Sequence, residues 1–371
     1  MKKLAILGAS YLQKPLVEKA NQLGIETHCF AWDNNEAVCK NIAHYFYPIS
    51  VLEKELILKK CEEIKVDGIT TIATDICVPT ICYVAEKMNL ISNSYFSGII
   101  STNKAKMRAA FFLNNVNSPK STALKQFNIE NFKDFQFPMI VKPTDRSGSR
   151  GVVKVSDFNE LETGIKIALE QSIEKQVVVE EFIGGVEVSV ESISWRGEHY
   201  ILAITDKITT GEPNFVELEH HQPSQLTENL KERIIVETLK ALDALEIKFG
   251  ASHSEFKILN NGKVVAIEVG GRMGGDFIGS HLVQLSTGYD FLKGVITIAL
   301  NEFEKPQINN NSFSGVYFLS KETEYLLPYF DKKNIFDIEK NMQNNKLSFI
   351  SNSNERSGYL VYKSHQKINL K

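Results

Sequence analysis

Apolar and polar positions follow two rhythms along the chain. Lys3–Leu7 is a short apolar run and Gly8-Ala-Ser a turn; apolar positions then recur at helical spacing to Leu23, Gly24 stops them, and Glu26–Phe30 reads as a second strand. This is a β-turn-α-β unit, which joins parallel strands. Gly68–Ala73 reads as a further buried strand and Pro79–Met88 as the helix after it. Alternation of this kind through about residue 100 predicts an open α/β domain. Beyond it the pattern changes. A helix over Asn103–Asn114 carries Lys104, Lys106 and Arg108; Asn117-Ser-Pro119 turns; strand Phe137–Lys142, a small-residue loop Thr144–Gly151, strand Val152–Val155, helix Asn159–Gln171 and strand Gln176–Glu181 follow. Period-two alternation then marks Glu187–Trp195 and continues as strand-rich sequence to Ile208. A helix is predicted over Gln225–Leu245, and a hairpin pairs His253–Leu259 with Val264–Val269 around Asn260-Asn-Gly-Lys263. The Asn- and Lys-rich tail from about residue 305 holds two strand-like runs, Phe313–Leu319 and Tyr359–Tyr362.

The chain's 371 residues suit two or three domains rather than one core. With 43% hydrophobic and 23% charged residues, disorder, collagen-like repeats and a disulfide-stapled mini-protein are excluded. Lys plus Arg number 42 against 45 acids, a net charge of −3 with no basic footprint for nucleic acid. Cys29, Cys39, Cys61, Cys77 and Cys82 make no C-x-x-C pair and read as reduced, partly buried thiols. The apolar run of MKKLAILGAS is too short for a signal peptide, and no stretch approaches the ~18 residues of a membrane span. The expectation is a cytoplasmic protein with neither membrane nor nucleic-acid partner. The first turn, GASYLQ, has one glycine and lacks the G-x-G-x-x-G dinucleotide fingerprint, although its amides can still meet a small anion.

Three stretches carry candidate chemistry. In Phe137-Pro-Met-Ile-Val-Lys142-Pro, a lysine closes an apolar strand and needs an anionic partner. The loop beyond it, Arg146-Ser-Gly-Ser-Arg-Gly151, has the composition of a phosphate cradle or of a plain hairpin tip; with Lys142 and Lys104 beside it, a nucleotide polyphosphate is the better reading. In Val177-Val-Val-Glu-Glu-Phe-Ile183, acids beside Phe182 and Ile183 read either as an exposed strand end or as an adenine slot, with Glu187 accepting ribose hydroxyls. Glu255 and Glu268 sit in apolar strands on either side of the Asn261-Gly262 turn, where cross-strand registry would put both carboxylates on one face. Like charges so placed repel unless a cation lies between them, and Mg²⁺ with phosphate oxygens and water suits such a pair. Gly270-Gly-Arg272-Met-Gly-Gly275 then offers a guanidinium fork in a flexible segment.

In this order, Lys104, PMIVKP, SGSRG, VVVEEFIGGVEVSVE, Glu255 and Glu268 resemble the ATP-grasp superfamily of carboxylate–amine ligases. The resemblance spans the chain and implies an α/β and α+β architecture. An N-terminal open parallel α/β (pre-ATP-grasp) domain would cover 1–102, an ATP-grasp domain 103–304 with a lid-like subdomain at about 118–184, and a small C-terminal subdomain 305–371. It also implies roles. Lys104 and Lys142 would hold phosphates, with Ser147, Gly148, Ser149 and Gly151 closing over them. Glu180, Phe182 and Ile183 would form the adenine slot, Glu187 would meet ribose, and Glu255 and Glu268 would bind Mg²⁺, or Mn²⁺ in its place. Lys142 and Arg272 would be the catalytic charges. Many members carry Asn two residues after the second metal carboxylate; here that position is Gly270. EVGGRMGG is similar to the L-amino-acid ligase branch, as is Asn214–Ser224, from which Glu217 and His220 would join Arg272 at an amino-acid substrate. The other reading of His220 and His221 is a solvated loop; a zinc site lacks a second ligand pair. The implied reaction is ATP-dependent joining of a carboxylate to an amine through an acyl-phosphate, with small molecules as partners. A biotin carboxylase-like or phosphoribosylamine–glycine ligase-like enzyme, or a non-catalytic ATP-binding regulator, is the alternative. Oligomeric state stays open, a homodimer included.

Overall fold

The computed structural model describes residues 1–148, 150–309 and 312–371. The first sheet is built from β1 (Lys3–Leu7), β2 (Glu26–Phe30), β3 (Tyr45–Tyr47) and β4 (Gly68–Thr70), all parallel in the order β3-β2-β1-β4. Helix α1 (Lys14–Gln22) starts with a proline in its first turn, where the missing N–H costs nothing. Helices α2 (Lys54–Ile64) and α3 (Val78–Met88) complete the α/β layer, and α4 (Tyr95–Ile100) and α5 (Lys104–Leu113) lead out of it. The Asn103 side chain caps α5 by accepting from the Ala105 and Lys106 amides. One expectation is corrected: the strand predicted to reach Ala73 stops at Thr70. Beyond it the Thr71 hydroxyl donates to Leu7 O, Ala73 takes a φ of +61°, and the Ala73 amide donates 3.0 Å to Met273 O. The chain leaves its sheet to meet the glycine-rich segment some two hundred residues later.

A second sheet is the antiparallel set β5 (Ser121–Leu124), β6 (Met139–Pro143), β7 (Val153–Val155) and β8 (Val177–Glu181), in the order β5-β8-β6-β7. Helix α6 (Phe158–Gln171) covers it. Asp157 caps the helix, and Leu161, Ile165 and Ala168 bury one face against Met139, Val141 and Val179. Each such side chain removed from water contributes about 1.5–3 kcal/mol, less for Ala168. This core is separate from those of the rest of the molecule.

The third sheet has eight strands: β9 (Val186–Trp195), β10 (Glu198–Thr209), β11 (Glu217–Gln222), β12 (Gly250–Ile258), β13 (Val264–Gly270), β14 (Phe313–Leu319), β15 (Asp337–Met342) and β16 (Gly358–Ser364). Their order is β13-β12-β9-β10-β11-β14-β16-β15. The two strand-like runs of the tail therefore extend this sheet, and β15 joins them although its sequence, Asp-Ile-Glu-Lys-Asn-Met, has too little apolar content to announce a strand. Helix α7 (Glu228–Ala244) packs on β13, starting three residues later than expected because Thr227 is extended. After α8 (Val283–Thr287), α9 (Phe291–Ala299) lies against α1, β4 and β12, so Leu4, Ile6, Leu16 and Val17 share one core with Ile193, Leu292 and Ile296. No helix among the described residues is long and apolar enough to cross a membrane.

The two cores predict two responses. Ile296→Ala, in the shared core, should lower global stability by about 2–5 kcal/mol in denaturant unfolding. Leu161→Ala, in the core of the second sheet, should speed amide exchange across residues 121–181 while leaving exchange in β9–β13 unchanged.

Candidate active site

Where the three sheets meet, carboxylates and cations alternate. Lys142, at the end of β6, is buried and places Nζ 2.8 Å from Glu180 Oε2. Arg108, one helical turn after Lys104 on α5, puts Nε 2.8 Å from Glu180 Oε1, and its Nη2 donates to Ile267 O. The Glu180 carboxylate is thus enclosed between two cations, which leaves only the backbone of this segment to meet a purine. Burial alone would raise its pKa, but the Arg108 and Lys142 charges outweigh burial and hold it below the usual range. Sequence reading missed Arg108 as Glu180's partner, although its i+4 spacing from Lys104 places both on one helix face. Phe182 and Ile183 follow β8; the Phe182 amide donates to Pro138 O, and Lys154 Nζ lies 4.3 Å over its ring. Lys104 Nζ donates to Glu268 Oε1 at 2.8 Å and to Arg146 O at 2.7 Å, tying the loop after β6 to the far sheet. Of the loop residues, Ser147, Gly148 and Gly151 are described and both glycines have positive φ, 67° and 73°; Ser149 lies outside the described residues.

Glu255 and Glu268 are direct cross-strand partners, as the hairpin pattern predicted, and both remain 26% exposed at the side chain. Protein cations cover both carboxylates. Lys207, on β10, is a buried hub with Nζ 2.6 Å from Glu255, 2.7 Å from Glu187 and 3.6 Å from Glu217. Burial lowers its pKa, but the three carboxylates overcome this and drive it well above the ordinary lysine value. Glu187 also takes Lys257 Nζ at 2.8 Å. His253 bonds Glu191 through Nδ1 and lies 3.2 Å from Glu255 through Nε2; against the effect of burial these acids raise its pKa to about 9, so it is a cation at neutral pH. Among the described residues no group of three or more His, Cys, Asp or Glu converges as a metal cage. A metal at Glu255 and Glu268 would take its other ligands from phosphate and water, the habit of Mg²⁺.

The glycine-rich segment after β13 carries Arg272, but its fork is not free as expected: Nη2 lies 2.7 Å from Asp75 Oδ2, on the turn after β4. Farther along, Arg356 bridges Asp276 (2.9 Å) and Glu217 (3.2 Å) with its guanidinium 3.8 Å over Phe318. Burial, with Asp276 close by, raises the Glu217 pKa despite Lys207 and Arg356. His220 and His221 do not form a solvated loop. Both are buried on β11 and point to opposite faces: His221 bonds Tyr362 and Glu219, while His220 meets the Phe318 edge with both ring nitrogens unpartnered. Lys207, Asp75, Asp276 and Arg356 come from four separate stretches of the chain, and no spacing in the sequence marks them as one group.

Residues 135–280 match the family model described as ATP-grasp domain. The chain contains an ATP-grasp domain. Alanine–anticapsin ligase of Bacillus subtilis strain 168 is 26% identical over 304 residues, 72% of this chain. The match covers 64% of that relative's length. D-alanine–D-alanine ligase of Flavobacterium johnsoniae is 29% identical over 135 residues, 35% of this chain and 41% of that one. Among solved structures, L-amino acid ligase from Bacillus licheniformis superimposes with a TM-score of 0.83 at 24% identity, over 99% of this chain and 94% of that one. Phosphoribosylglycinamide synthetase from Anaerococcus prevotii gives 0.77 at 22%, over 98% and 94%. These likenesses establish the ATP-grasp fold.

Two outcomes follow from the site's charges. Glu180→Gln leaves Arg108 and Lys142 buried without their shared anion and should cost about 3–5 kcal/mol in denaturant unfolding. Burial lowers the His220 pKa well below that of a free histidine, so the unfolded chain takes up the proton first. His220's contribution to stability should be complete above the unfolded pKa of about 6.5 and fall as pH drops below it. Thermal unfolding across that range, repeated with His220→Gln, should show a weaker acid loss in the variant.

Proposed function

We propose that this protein is an ATP-dependent ligase that joins a carboxylate to an amine through an acyl-phosphate, with an amino acid among its substrates. The observation that carries the reading is the in-register pair Glu255 and Glu268, accessible and next to Lys104, Lys142 and the loop after β6. The names of its relatives, alanine–anticapsin ligase and D-alanine–D-alanine ligase, agree with it.

Lys104, Lys142 and the amides around Ser147, Gly148 and Gly151 would hold the phosphates, Phe182 and Ile183 the purine and Glu187 the ribose. Glu255 and Glu268 would hold Mg²⁺, or Mn²⁺ in its place; bound there, the ion would neutralise charge on the transferring phosphoryl group. Nucleotide binding then becomes an exchange of ion pairs. A phosphate offers Lys104 a stronger anion than Glu268, which frees Glu268, and a ribose at Glu187 relieves the crowding of carboxylates on Lys207. A carboxylate oxygen of the first substrate attacks the γ-phosphorus, and the bond to the bridging oxygen breaks to release ADP. The amine attacks the acyl carbon, a proton leaves the nitrogen, and phosphate departs. Such transfer needs positioning and charge more than covalent help. Arg272 would stabilise the oxygen charge that develops at the acyl carbon. We place the amino-acid end at Arg272, Glu217 and His220, with His220 neutral and able to accept or donate one hydrogen bond. Exclusion of water by the second sheet would protect the acyl-phosphate from hydrolysis.

The test is phosphate release from ATP with a panel of amino acids and with bicarbonate, and mass spectrometry of the product. Amide formation is expected; stimulation by bicarbonate alone would replace the ligase reading with a carboxylase-like one. Glu268→Gln should lower kcat by roughly 10²–10⁴-fold, the equivalent of several kcal/mol of lost charge stabilisation. Circular dichroism should be unchanged in this variant, because Lys104 keeps Arg146 O as a partner.

A further inference from the structure

Gly270 occupies the position where many ATP-grasp members carry Asn, and its surroundings leave no room for a side chain. A Cβ there would lie 2.5 Å from Asp75 Oδ1, closer than real contacts allow, and a tight 3.2 Å from Arg272 Cζ. The volume is filled from the N-terminal sheet. Asp75 is 7% exposed and reaches this place because the chain leaves β4 early and anchors the Ala73 amide on Met273 O. Oδ2 of Asp75 takes Arg272 Nη2, while Oδ1 is buried with no hydrogen-bond partner, and so is Arg272 Nε. A lone acceptor and a lone donor thus lie beside one α-carbon. Burial would favour a neutral Asp75, but the Arg272 charge outweighs it and keeps the carboxylate ionised.

We propose that Asp75 is a positioning residue for Arg272, and that residues 75 and 270 are a matched pair. The carboxylate engages one edge of the guanidinium and leaves Nε–H unpartnered, a donor that would serve the reacting acyl group. Gly270 is the condition for that arrangement. In this chain the position two residues after Glu268 gives up an Asn side chain so that an N-terminal carboxylate can enter. An isolated buried carboxylate would be costly, and an isolated buried arginine equally so; each makes the other tolerable only in this geometry. The inference rests on the ligase reading for what Arg272 acts on, and on the contact alone for the pairing.

Asp75→Ala should lower the rate of amide formation about 10–100-fold, as loss of an orienting partner does, with the KM for ATP changed by less than about twofold. ATP consumed per amide formed should rise, because an acyl-phosphate met by a misplaced Arg272 is lost to water. Asp75→Asn, which keeps an acceptor for Nη2, should recover part of the loss. A purely structural Asp75 would instead lower the melting temperature, and the ratio of ATP to amide would stay as in the unsubstituted chain. Gly270→Ala supplies the second arm. Alone it should impair both ligation and thermal stability; added to Asp75→Ala it should cost markedly less, because the clashing oxygen is gone. Equal cost of Gly270→Ala in both backgrounds would overturn the pairing, and an unchanged ATP-to-amide ratio in Asp75→Ala would overturn the positioning. Failure of the ligase reading shows separately, in the unsubstituted chain, as absence of any amide; the melting cycle of the four proteins then still decides the pairing.

Discussion

The site is organised by like-charge repulsion, and by the cations that relieve it. Glu180, Glu187, Glu191, Glu217, Glu255 and Glu268 converge from five strands of two sheets, and each faces at least one Lys, Arg or His from another element. Removed from water, such carboxylates could not all ionise without these partners. Lys207 illustrates the constraint most directly, since three acids crowd one ammonium and hold its proton. On the proposed function the same arrangement would ready the site for ligands. A polyphosphate with its cation can replace ion pairs already present one for one, so binding does not have to desolvate bare charges.

The N-terminal sheet is bound into this scheme from two sides. Apolar residues of β1 and α1 share a core with α9, which makes the sheet part of the central body. At the site itself the turn after β4 delivers Asp75 to Arg272 and the Ala73 amide to Met273. The second sheet, by contrast, has a core of its own and touches the site through Lys142, Glu180 and the loop after β6. That division would suit the proposed ligase, with a body that holds substrate and a cover that moves over nucleotide, because independent cores can shift without breaking one another.

Much was legible in the chain as written. Short apolar runs and period-two alternation located β1, β2, β9, β12, β13 and β14 to within a few residues, because burial on both faces or on one face of a sheet imposes these patterns on any sequence. The hairpin around Asn261-Gly262 was legible too, but the turn's own register would set Glu255 against Ile267; a register shift between Glu255 and Phe256 is what brings Glu268 opposite Glu255. The order of Lys104, Lys142, the glycine loop and the two carboxylates was enough to recognise an ATP-grasp domain. Strand ends were less secure. The apolar letters of Ile72 and Ala73 read as strand, yet a distant carbonyl on Met273 competes for the Ala73 amide and wins.

Tertiary structure alone decided which charges meet. Nothing in local sequence marks Lys207 as the hub of three acids, sends Glu180 between Arg108 and Lys142, or folds Arg356 back onto Asp276 and Glu217. Periodicity reports how a residue sits relative to its neighbours in the chain, and ion pairs across sheets depend on how whole layers are stacked. The same holds for Gly270. Its sequence shows an Asn missing; only the fold shows an aspartate from residue 75 standing in the space, because two backbones almost two hundred residues apart come within a side chain's reach.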